Sequence, residues 1–404
     1  MSFLGFLKKP VKNVGLVFDI GSKTVGGAIY EKDSNGSVKL LYTARESIAF
    51  QKTLTSESLL TALLRSLELV IVHLQKYGLD HLGQTSGFQY QVDSLSGVFS
   101  SPWHISETKI LKWKQDAPFL ITETSVNDLL AKEEKDFMSR LLVGGQSEAM
   151  FNLLEHRIIE IRLNGYPTSD PYGKYAEEIE LSIFTSVSPK KVHEKIKALI
   201  LRHFPSVEHF DSHTFSLSAF ASIRDFFTDI EHFFVVQVGG EVTDITIAKK
   251  GLIAEAVSFP LGHNQLLRSL SKICHGHPGC TLEGLLSLYK EGKIHSEDRP
   301  KVERAIADAK LSWLELFNNA ISNFSAETFL PKTVFLFEER VYSSVFEDFL
   351  KSAESSQFTI TAEPFEIKTS DEFRAVFANL GQPLFADTIL ALEANFIARL
   401  QNKS

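Results

Sequence analysis

The sequence predicts an α/β protein with two similar lobes and an inserted subdomain. Strand pairs alternate with amphipathic helices along the 404 residues, which is the pattern of an α/β fold. Two segments, 15–30 and 234–248, repeat one unit: an apolar strand, a glycine-containing turn and a second apolar strand. No period of 20–50 residues indicates a solenoid. We therefore interpret the two segments as an internal duplication.

Composition limits the classes of function. The net charge of −8 excludes a general nucleic-acid-binding role, which requires a basic surface. No secretory signal is present, and no apolar run reaches the ~18 residues that a membrane span requires. With only two cysteines in the chain, we expect a reducing, cytoplasmic location.

The first thirteen residues, 1–13, differ from the rest of the chain. Phenylalanines and leucines are followed there by three lysines. We expect a frayed terminus. The alternative is a short apolar-basic peptide that contacts a membrane surface or a partner, although one or two helical turns would bind weakly on their own.

The first half of the chain shows short strands around two helices. Strand patterns cover 14–31, 38–50, 87–100 and 117–123, and helical patterns cover 55–77 and 125–138. A strand pair is predicted at 156–165 and 177–187, joined by a loop rich in Pro, Gly, Ser and Asp. A helix is predicted at 188–204.

The second half begins with its clearest β pattern, at 233–259. Residues 281–329 are mainly helical by pattern, and TVFLF at 333–337 is a short buried strand. A helix is predicted from about residue 341, and two more helical segments follow before the last residues.

The first glycine hairpin, VFDIGSKTVGGAIY, has residues suited to phosphate binding. Gly21 lacks a Cβ, so the backbone can approach a phosphate closely. Ser22, Lys23 and Thr24 are potential donors to it. Asp19 is a candidate ligand of Mg²⁺, directly or through water.

The second hairpin, VVQVGGEVTDITIA, offers Gly239 and Gly240 in its turn and Asp244 as a second carboxylate. Each hairpin alone is ordinary. Two of them, each flanked by apolar strands, are more specific for a two-lobed nucleotide clamp. We expect the two turns to face one another across a shared crevice.

Together the two hairpins resemble the phosphate-1 and phosphate-2 loops of the actin, heat-shock chaperone and sugar-kinase superfamily. The order of elements is similar to FtsA, in which a 1C subdomain interrupts the first lobe. The resemblance implies a two-lobed actin-like (ribonuclease-H-like) ATPase fold with an FtsA-type 1C insert, and ATP with Mg²⁺ as cofactor. The predicted parts are the N-terminal tail at 1–13, a first lobe at 14–99 and 211–230 with 386–404, the insert at 100–210 and a second lobe at 231–385.

Several positions depart from the superfamily pattern. Gln237 stands where phosphate-2 normally begins with an acidic residue, and Glu241 and Val242 replace a glycine and a threonine. The two glycines of the adenosine motif align with Glu338 and Glu339. Carboxylates near a polyphosphate would repel it. These departures favour a pseudo-ATPase over an enzyme, with weak ATP binding left open.

The resemblance implies three functions. An FtsA-like division adaptor would bind FtsZ, self-associate into filaments and sit at the inner membrane. FtsA carries a C-terminal amphipathic helix that contacts the membrane, and we find no counterpart before the final QNKS. The N-terminal peptide would then take over that contact. A PilM-like scaffold would bind a cytoplasmic peptide of a pilus membrane protein in a groove near the insert, and FPLGHNQL at 259–266 fits that hypothesis slightly better. The third is a kinase-type enzyme.

Three other chemical interpretations are rejected. The cysteines and histidines of 274–280 are spaced too tightly to converge on one zinc ion. Successive residues at 211–213, Asp-Ser-His, point in different directions and form no catalytic relay. We interpret Glu338 and Glu339 as a solvated helix start, where acidic residues are favoured, and not as an acid–base pair.

Overall fold

The computed structural model describes residues 9–33, 38–51, 53–141, 150–274, 281–325, 330–338, 340–353, 363–379 and 387–401. Among these residues, no helix combines the length and the apolar character needed to cross a bilayer. The predicted N-terminal peptide falls largely outside the described ranges, as do Glu339 and most of the 274–280 segment.

The strands are β1 Val11–Ile20, β2 Thr24–Lys32, β3 Val38–Ser47, β4 Gln89–Phe99, β5 Ile105–Leu120, β6 Phe151–Leu163, β7 Tyr166–Pro167, β8 Tyr175–Pro189, β9 Asp211–Thr214, β10 Phe233–Val238, β11 Thr243–Lys249, β12 Leu252–Phe259, β13 Thr333–Phe337 and β14 Glu366–Lys368. The helices are α1 Ser56–His73, α2 Asp80–Thr85, α3 Glu123–Leu141, α4 Lys190–His203, α5 Phe215–Phe226, α6 His263–Cys274, α7 Leu282–Lys290, α8 Arg299–Ser325, α9 Arg340–Lys351, α10 Ser370–Asn379 and α11 Thr388–Gln401. A π-helical turn, Leu74–Leu79, joins α1 to α2.

The first compact unit comprises Met1–Ser100, Glu194–Ser222 and Asp371–Ser404. Its five-stranded sheet has the order β3-β2-β1-β4-β9. The first three strands are antiparallel, whereas β1, β4 and β9 are parallel. The last seven residues of β1 are all buried, as expected for a central strand covered on both faces. Helix α11 packs on β1, β2 and β3.

The second unit comprises Ser101–His193 and Ile223–Ser370. Its sheet has the order β12-β11-β10-β13-β14, again with three antiparallel strands followed by parallel additions. Strand order and direction are the same as in the first unit. The internal duplication predicted from the two glycine hairpins is therefore confirmed at the level of topology.

The inserted residues form a third, antiparallel sheet within the second unit, in the order β5-β8-β6-β7. The predicted strand pair is present as β6 and β8. Helix α3 covers this sheet, with a buried core that includes Ile121, Val126, Ala176, Ile179, Leu181 and Ile183. The prediction of only a short strand at 117–123 is wrong, because β5 spans 16 residues. This strand lies at an edge of the sheet and is rich in lysine, so its sequence lacks the alternation of apolar and polar residues that predicts a strand.

The division of the chain into two compact units differs from the predicted boundaries, and residues 223–230 of the predicted first lobe lie in the second unit. Residues 194–210 belong to the first unit, as do residues 371–385. The inserted sheet is part of the second unit. The predicted lobe boundaries stay a prediction.

Candidate functional site

The first glycine turn is tightly packed. It joins β1 to β2, which pair antiparallel up to Ile20 and Val25. A Cβ at Gly21 would lie 2.9 Å from the carbonyl oxygen of Thr24, so this turn admits only glycine without a shift. Ser22 is buried, and the carbonyl oxygen of Lys23 accepts a 2.7 Å hydrogen bond from Ile48. The need for Gly21 therefore has a local cause in the turn itself.

Asp19, Gly26 and Arg45 lie side by side on three strands. The register places Asp19 of β1 opposite Gly26 of β2, and Gly26 opposite Arg45 of β3. Directly opposed residues share a face of the sheet. Because Gly26 has no side chain, the Arg45 guanidinium reaches across the middle strand. A Cβ at Gly26 would lie 2.8 Å from Arg45 Nη2.

The Arg45 guanidinium bonds two carboxylates. Its Nη1 donates to Asp19 Oδ2 at 2.6 Å and to Thr24 Oγ1 at 2.9 Å. Its Nε and Nη2 donate to the two carboxylate oxygens of Asp387, at 2.6 and 3.2 Å. Asp387 in turn accepts from the backbone N–H groups of Ile389 and Leu390, both at 3.1 Å, and so caps α11. The guanidinium thus connects the first turn to the start of α11.

The charges in this cluster shift one another's pKa values. Burial raises the pKa of Asp19, and the nearby Arg45 opposes that rise. Burial also acts to raise the pKa of Asp387, but Arg45 and the α11 backbone donors outweigh it, so this pKa lies below its ordinary value. Burial lowers and the two carboxylates raise the pKa of Arg45, with a net rise. The guanidinium is therefore permanently charged.

Glu393 is a third carboxyl group near the same cluster. It lies on α11 and is completely buried, and neither carboxyl oxygen has a hydrogen-bond partner among the residues that the structure describes. Burial, reinforced by the negative charge of Asp19, raises its pKa well above the ordinary value of 4.5. Burial therefore favours the neutral acid form of Glu393.

These residues do not suit the Mg²⁺ that the superfamily resemblance implies at Asp19. Mg²⁺ requires carboxylate and water oxygens in an octahedron, with room for its waters. Asp19 Oδ2 instead accepts a hydrogen bond from the Arg45 guanidinium, whose positive charge repels a second cation. Within the described residues, no group of three or more His, Cys, Asp or Glu side chains is arranged to bind a metal ion.

The Gly26→Ala variant should lose the Arg45–Asp19 contact. The new Cβ would displace the guanidinium from its path across β2, so we expect a loss of about 2–4 kcal/mol in the free energy of unfolding. Urea denaturation followed by circular dichroism measures it. Gly83→Ala in α2 is the control, because its Cβ would meet only a carbonyl oxygen at 3.7 Å. Equal stability of the two variants would contradict the role given to Gly26.

The second glycine turn is bonded to the chain that follows β12. The N–H of Gly239 donates to Val242 within the turn, at 2.9 Å. The carbonyl oxygens of Gly239 and Gly240 accept from the backbone N–H groups of His263 and Asn264, at 3.1 and 2.9 Å. A Cβ at Gly262 would lie 2.2 Å from the Gly239 oxygen, so glycine is required there. The start of α6 therefore holds this turn.

Glu241 at this turn has its own cation. Arg268 Nη2 bonds both carboxylate oxygens at 2.7 Å, and Asn264 Nδ2 donates to one of them at 2.7 Å. Both partners lie on α6, four residues apart. The sequence predicts that Glu241 repels a polyphosphate, but Arg268 already neutralises its charge. Each glycine turn is therefore next to a carboxylate that is paired with an arginine of the chain.

Asp244 is held within the second unit. Its carboxylate accepts from the hydroxyl and the backbone N–H of Ser101, at 2.6 and 3.3 Å. Burial raises its pKa, against the opposing effects of His104 and Ser101. The register pairs Gln237 with Asp244, as it pairs Asp19 with Gly26. The two units thus place their buried carboxylate on different strands of the repeated hairpin.

Arg268→Ala should destabilise the second unit by about 1–3 kcal/mol, because it removes the arginine that bonds both oxygens of the buried Glu241 carboxylate. The loss is moderated because a quarter of the Arg268 side chain is exposed. All three tryptophans lie in this unit, so urea denaturation followed by tryptophan fluorescence measures the change.

The matched variant Arg268→Ala with Glu241→Gln should recover most of the loss, because it removes the uncompensated charge. If the double variant is as unstable as Arg268→Ala alone, the ion pair is not what holds the turn.

The structure also tests the interpretations that the sequence analysis gave for the other acidic, histidine and cysteine residues. The interpretation of Glu338 as a solvated residue is wrong, since it is only 5% exposed just after β13. Residues 211–213 lie in β9, where successive side chains alternate between faces, which agrees with rejecting a catalytic relay. The zinc interpretation and Glu339 concern residues outside the described ranges.

Sequence reasoning missed the arginines and the acids of α11. Arg45 interrupts an apolar strand pattern opposite a glycine, and Glu393 is an isolated acid in the apolar run ILALEANFI. An isolated charged residue in an apolar segment is the sequence signal of a buried ionisable group. Asp387 directly precedes α11, where an N-cap is expected.

Comparison with known proteins gives likeness in structure only. No protein-family model matches the chain, and no curated protein matches its sequence. A chain of the PilM–PilN type IV pilus biogenesis complex is similar with a TM-score of 0.53 at 11% identity, over 95% of this chain and 98% of that one. The ethanolamine utilization protein EutJ from Carboxydothermus hydrogenoformans matches with a TM-score of 0.42 at 11% identity, over 95% and 89%. A Bacteroides thetaiotaomicron protein with an actin-like ATPase fold and unknown function matches with 0.35 at 10% identity, over 94% and 99%.

Proposed function

Because the chain has the actin-like ATPase fold, with a likeness to PilM, we propose that it is a cytoplasmic scaffold that binds a segment of a partner protein without hydrolysing ATP. The observation that supports the absence of ATP hydrolysis is the ion pair between the Arg45 guanidinium and Asp19. Because Asp19 is already bonded to an arginine, it is not open to Mg²⁺, which argues against ATP hydrolysis at this hairpin.

We propose a PilM-like role for this scaffold. The likeness to a chain of the PilM–PilN pilus biogenesis complex extends over 95% of this chain, which includes the inserted sheet. By that analogy, the partner is the cytoplasmic segment of a pilus membrane protein, and binding it brings the scaffold to the inner membrane. This step rests on fold analogy, so it requires a direct binding test.

A cavity in the second unit supports a peptide site. It has a volume of about 210 Å³ and lies where the inserted sheet meets β12. Its apolar lining is formed by Ile110, Leu252, Ile253 and Ala254, and its charged lining by Glu160, Arg162, Glu180, Lys249 and Lys250. That volume suits one or two apolar side chains of an extended peptide, and the mixed charges suit its backbone and neighbouring polar groups.

The test is titration of fluorescent peptides that cover the cytoplasmic segments of the host's pilus membrane proteins, read by anisotropy. Ile110→Glu should weaken binding at least about tenfold, because a charge would enter the apolar lining. Ile105→Glu is the matched control, since Ile105 is exposed on the same strand but does not line the cavity. Equal affinities for the two variants would exclude this cavity, and no binding by the wild type would reject the PilM-like role.

The FtsA-like hypothesis predicts a different outcome in the same preparation. Purified FtsZ should then bind, and light scattering should detect filaments of the chain. The kinase hypothesis predicts release of ADP in a coupled assay with MgATP. Both stay predictions, and either result would replace the PilM-like proposal.

A further inference from the structure

We propose that Arg45 is a built-in substitute for a divalent cation, which fixes the first glycine turn to α11 without Mg²⁺ or nucleotide. This inference is independent of which partner the chain binds. It concerns the first unit alone, through Asp19, Arg45 and Asp387.

The bonding pattern of Arg45 is the pattern a bridging cation would have. Its nitrogens lie 2.6 Å from Asp19 Oδ2 and 2.6 Å from Asp387 Oδ2, so one positive group joins two carboxylates from distant parts of the chain. A divalent cation joins carboxylates in the same way. Arginine adds fixed directions, since its planar fork donates through several N–H groups at once. Here those donors also include one to Thr24 Oγ1, at the start of β2.

The surroundings are built for a guanidinium. Gly26 provides the path across β2, and its Cβ would approach within 2.8 Å of Nη2. Asp387 is simultaneously the cap of α11, so the guanidinium acts on a helix that packs on β1, β2 and β3. The guanidinium, the glycine beside it and the helix cap therefore form one connected arrangement.

The state of Glu393 is a second observation consistent with a single positive charge in this cluster. This carboxyl group is completely buried, its two oxygens accept no hydrogen bond from any described residue, and it lies close enough to the cluster for the charge of Asp19 to affect its pKa. A single positive charge facing Asp19 and Asp387 leaves no surplus to hold Glu393 ionised. Removing Arg45 should therefore leave Asp19 and Asp387 available to a hard cation.

The experiment compares thermal unfolding of wild type and Arg45→Ala with about 10 mM MgCl2, MnCl2 or a KCl control of equal ionic strength, each with and without ATP. The wild-type midpoint should not move beyond the KCl control. The midpoint of Arg45→Ala should be lower and should rise by about 3 °C or more with Mg²⁺ or Mn²⁺. Arg65→Ala removes an exposed arginine of the same unit and should behave as wild type.

Two results would overturn the proposal: a specific rise of the wild-type midpoint with Mg²⁺ or MgATP, or no metal response of a folded Arg45→Ala. If Arg45→Ala does not fold, hydrogen–deuterium exchange on the wild type decides. Exchange at 19–24 and 388–391 should be unchanged by MgATP. New protection there would mean that metal or nucleotide, and not Arg45, sets this turn.

Discussion

Arg45→Ala is expected to lower the free energy of unfolding by about 3–5 kcal/mol. The variant removes the positive group that bonds Asp19 and Asp387 and leaves two carboxylates with little access to water: their side chains are 6% and 21% exposed. Breaking a buried pair costs far more than the pair itself contributes, because an uncompensated charge remains. Urea denaturation followed by far-ultraviolet circular dichroism measures the loss. Hydrogen exchange on peptides from 14–32 locates it.

A double-variant cycle separates charge from packing. Asp19→Asn combined with Arg45→Ala should be more stable than Arg45→Ala alone, because one of the stranded carboxylates is gone. Arg45→Lys should retain part of the wild-type stability, since it keeps the charge but not the fork of donors. If Arg45→Lys and Arg45→Ala are equally unstable, the charge is not the decisive property. A loss below about 1 kcal/mol for Arg45→Ala would place the pair among ordinary surface ion pairs.

The fold was predictable because its signals are local. Apolar strands interrupted by glycine turns identified both hairpins, and the register of β1 with β2 and of β10 with β11 agrees with that pattern. The long strand β5 was not predictable in full, because an exposed lysine-rich edge strand lacks the buried alternation on which such predictions depend. The parallel strands β9 and β14 are only four and three residues long, too short to give a periodic signal.

The site was less predictable, because its partners are joined by register and not by sequence spacing. The prediction for Asp19 considered only the nearby turn. The arginine that bonds Asp19 lies on β3, and that arginine also bonds Asp387, just before α11 near the other end of the chain. The sequence predicted that Glu241 would repel a polyphosphate. Its partner Arg268 on α6 was not foreseen, because the two residues become neighbours only when the turn folds onto that helix. Side chains that neutralise a carboxylate cannot be identified until the strands are aligned.

The second large effect is a pH dependence caused by Glu393. Its pKa in the folded protein lies well above the ordinary 4.5, because burial disfavours the charged form. The folded state therefore holds a proton that the unfolded state releases once the pH exceeds about 4.5. Stability from this group is complete below that pH and falls by about 1.4 kcal/mol per pH unit until the pH reaches the folded-state pKa.

Glu393→Gln should remove this dependence, because an amide is neutral at every pH and has nearly the same shape. Urea denaturation of variant and wild type from pH 5 to pH 8 should give curves that diverge as the pH rises, with the variant the more stable at pH 8. Exposed Glu208→Gln should run parallel to wild type. Parallel curves for Glu393→Gln would mean that Glu393 is ionised in the folded state. Its charge would then require a cation from the Arg45 cluster, and the single guanidinium could not neutralise all three carboxylates. Such a result would therefore count against the arrangement that ties the first turn to α11.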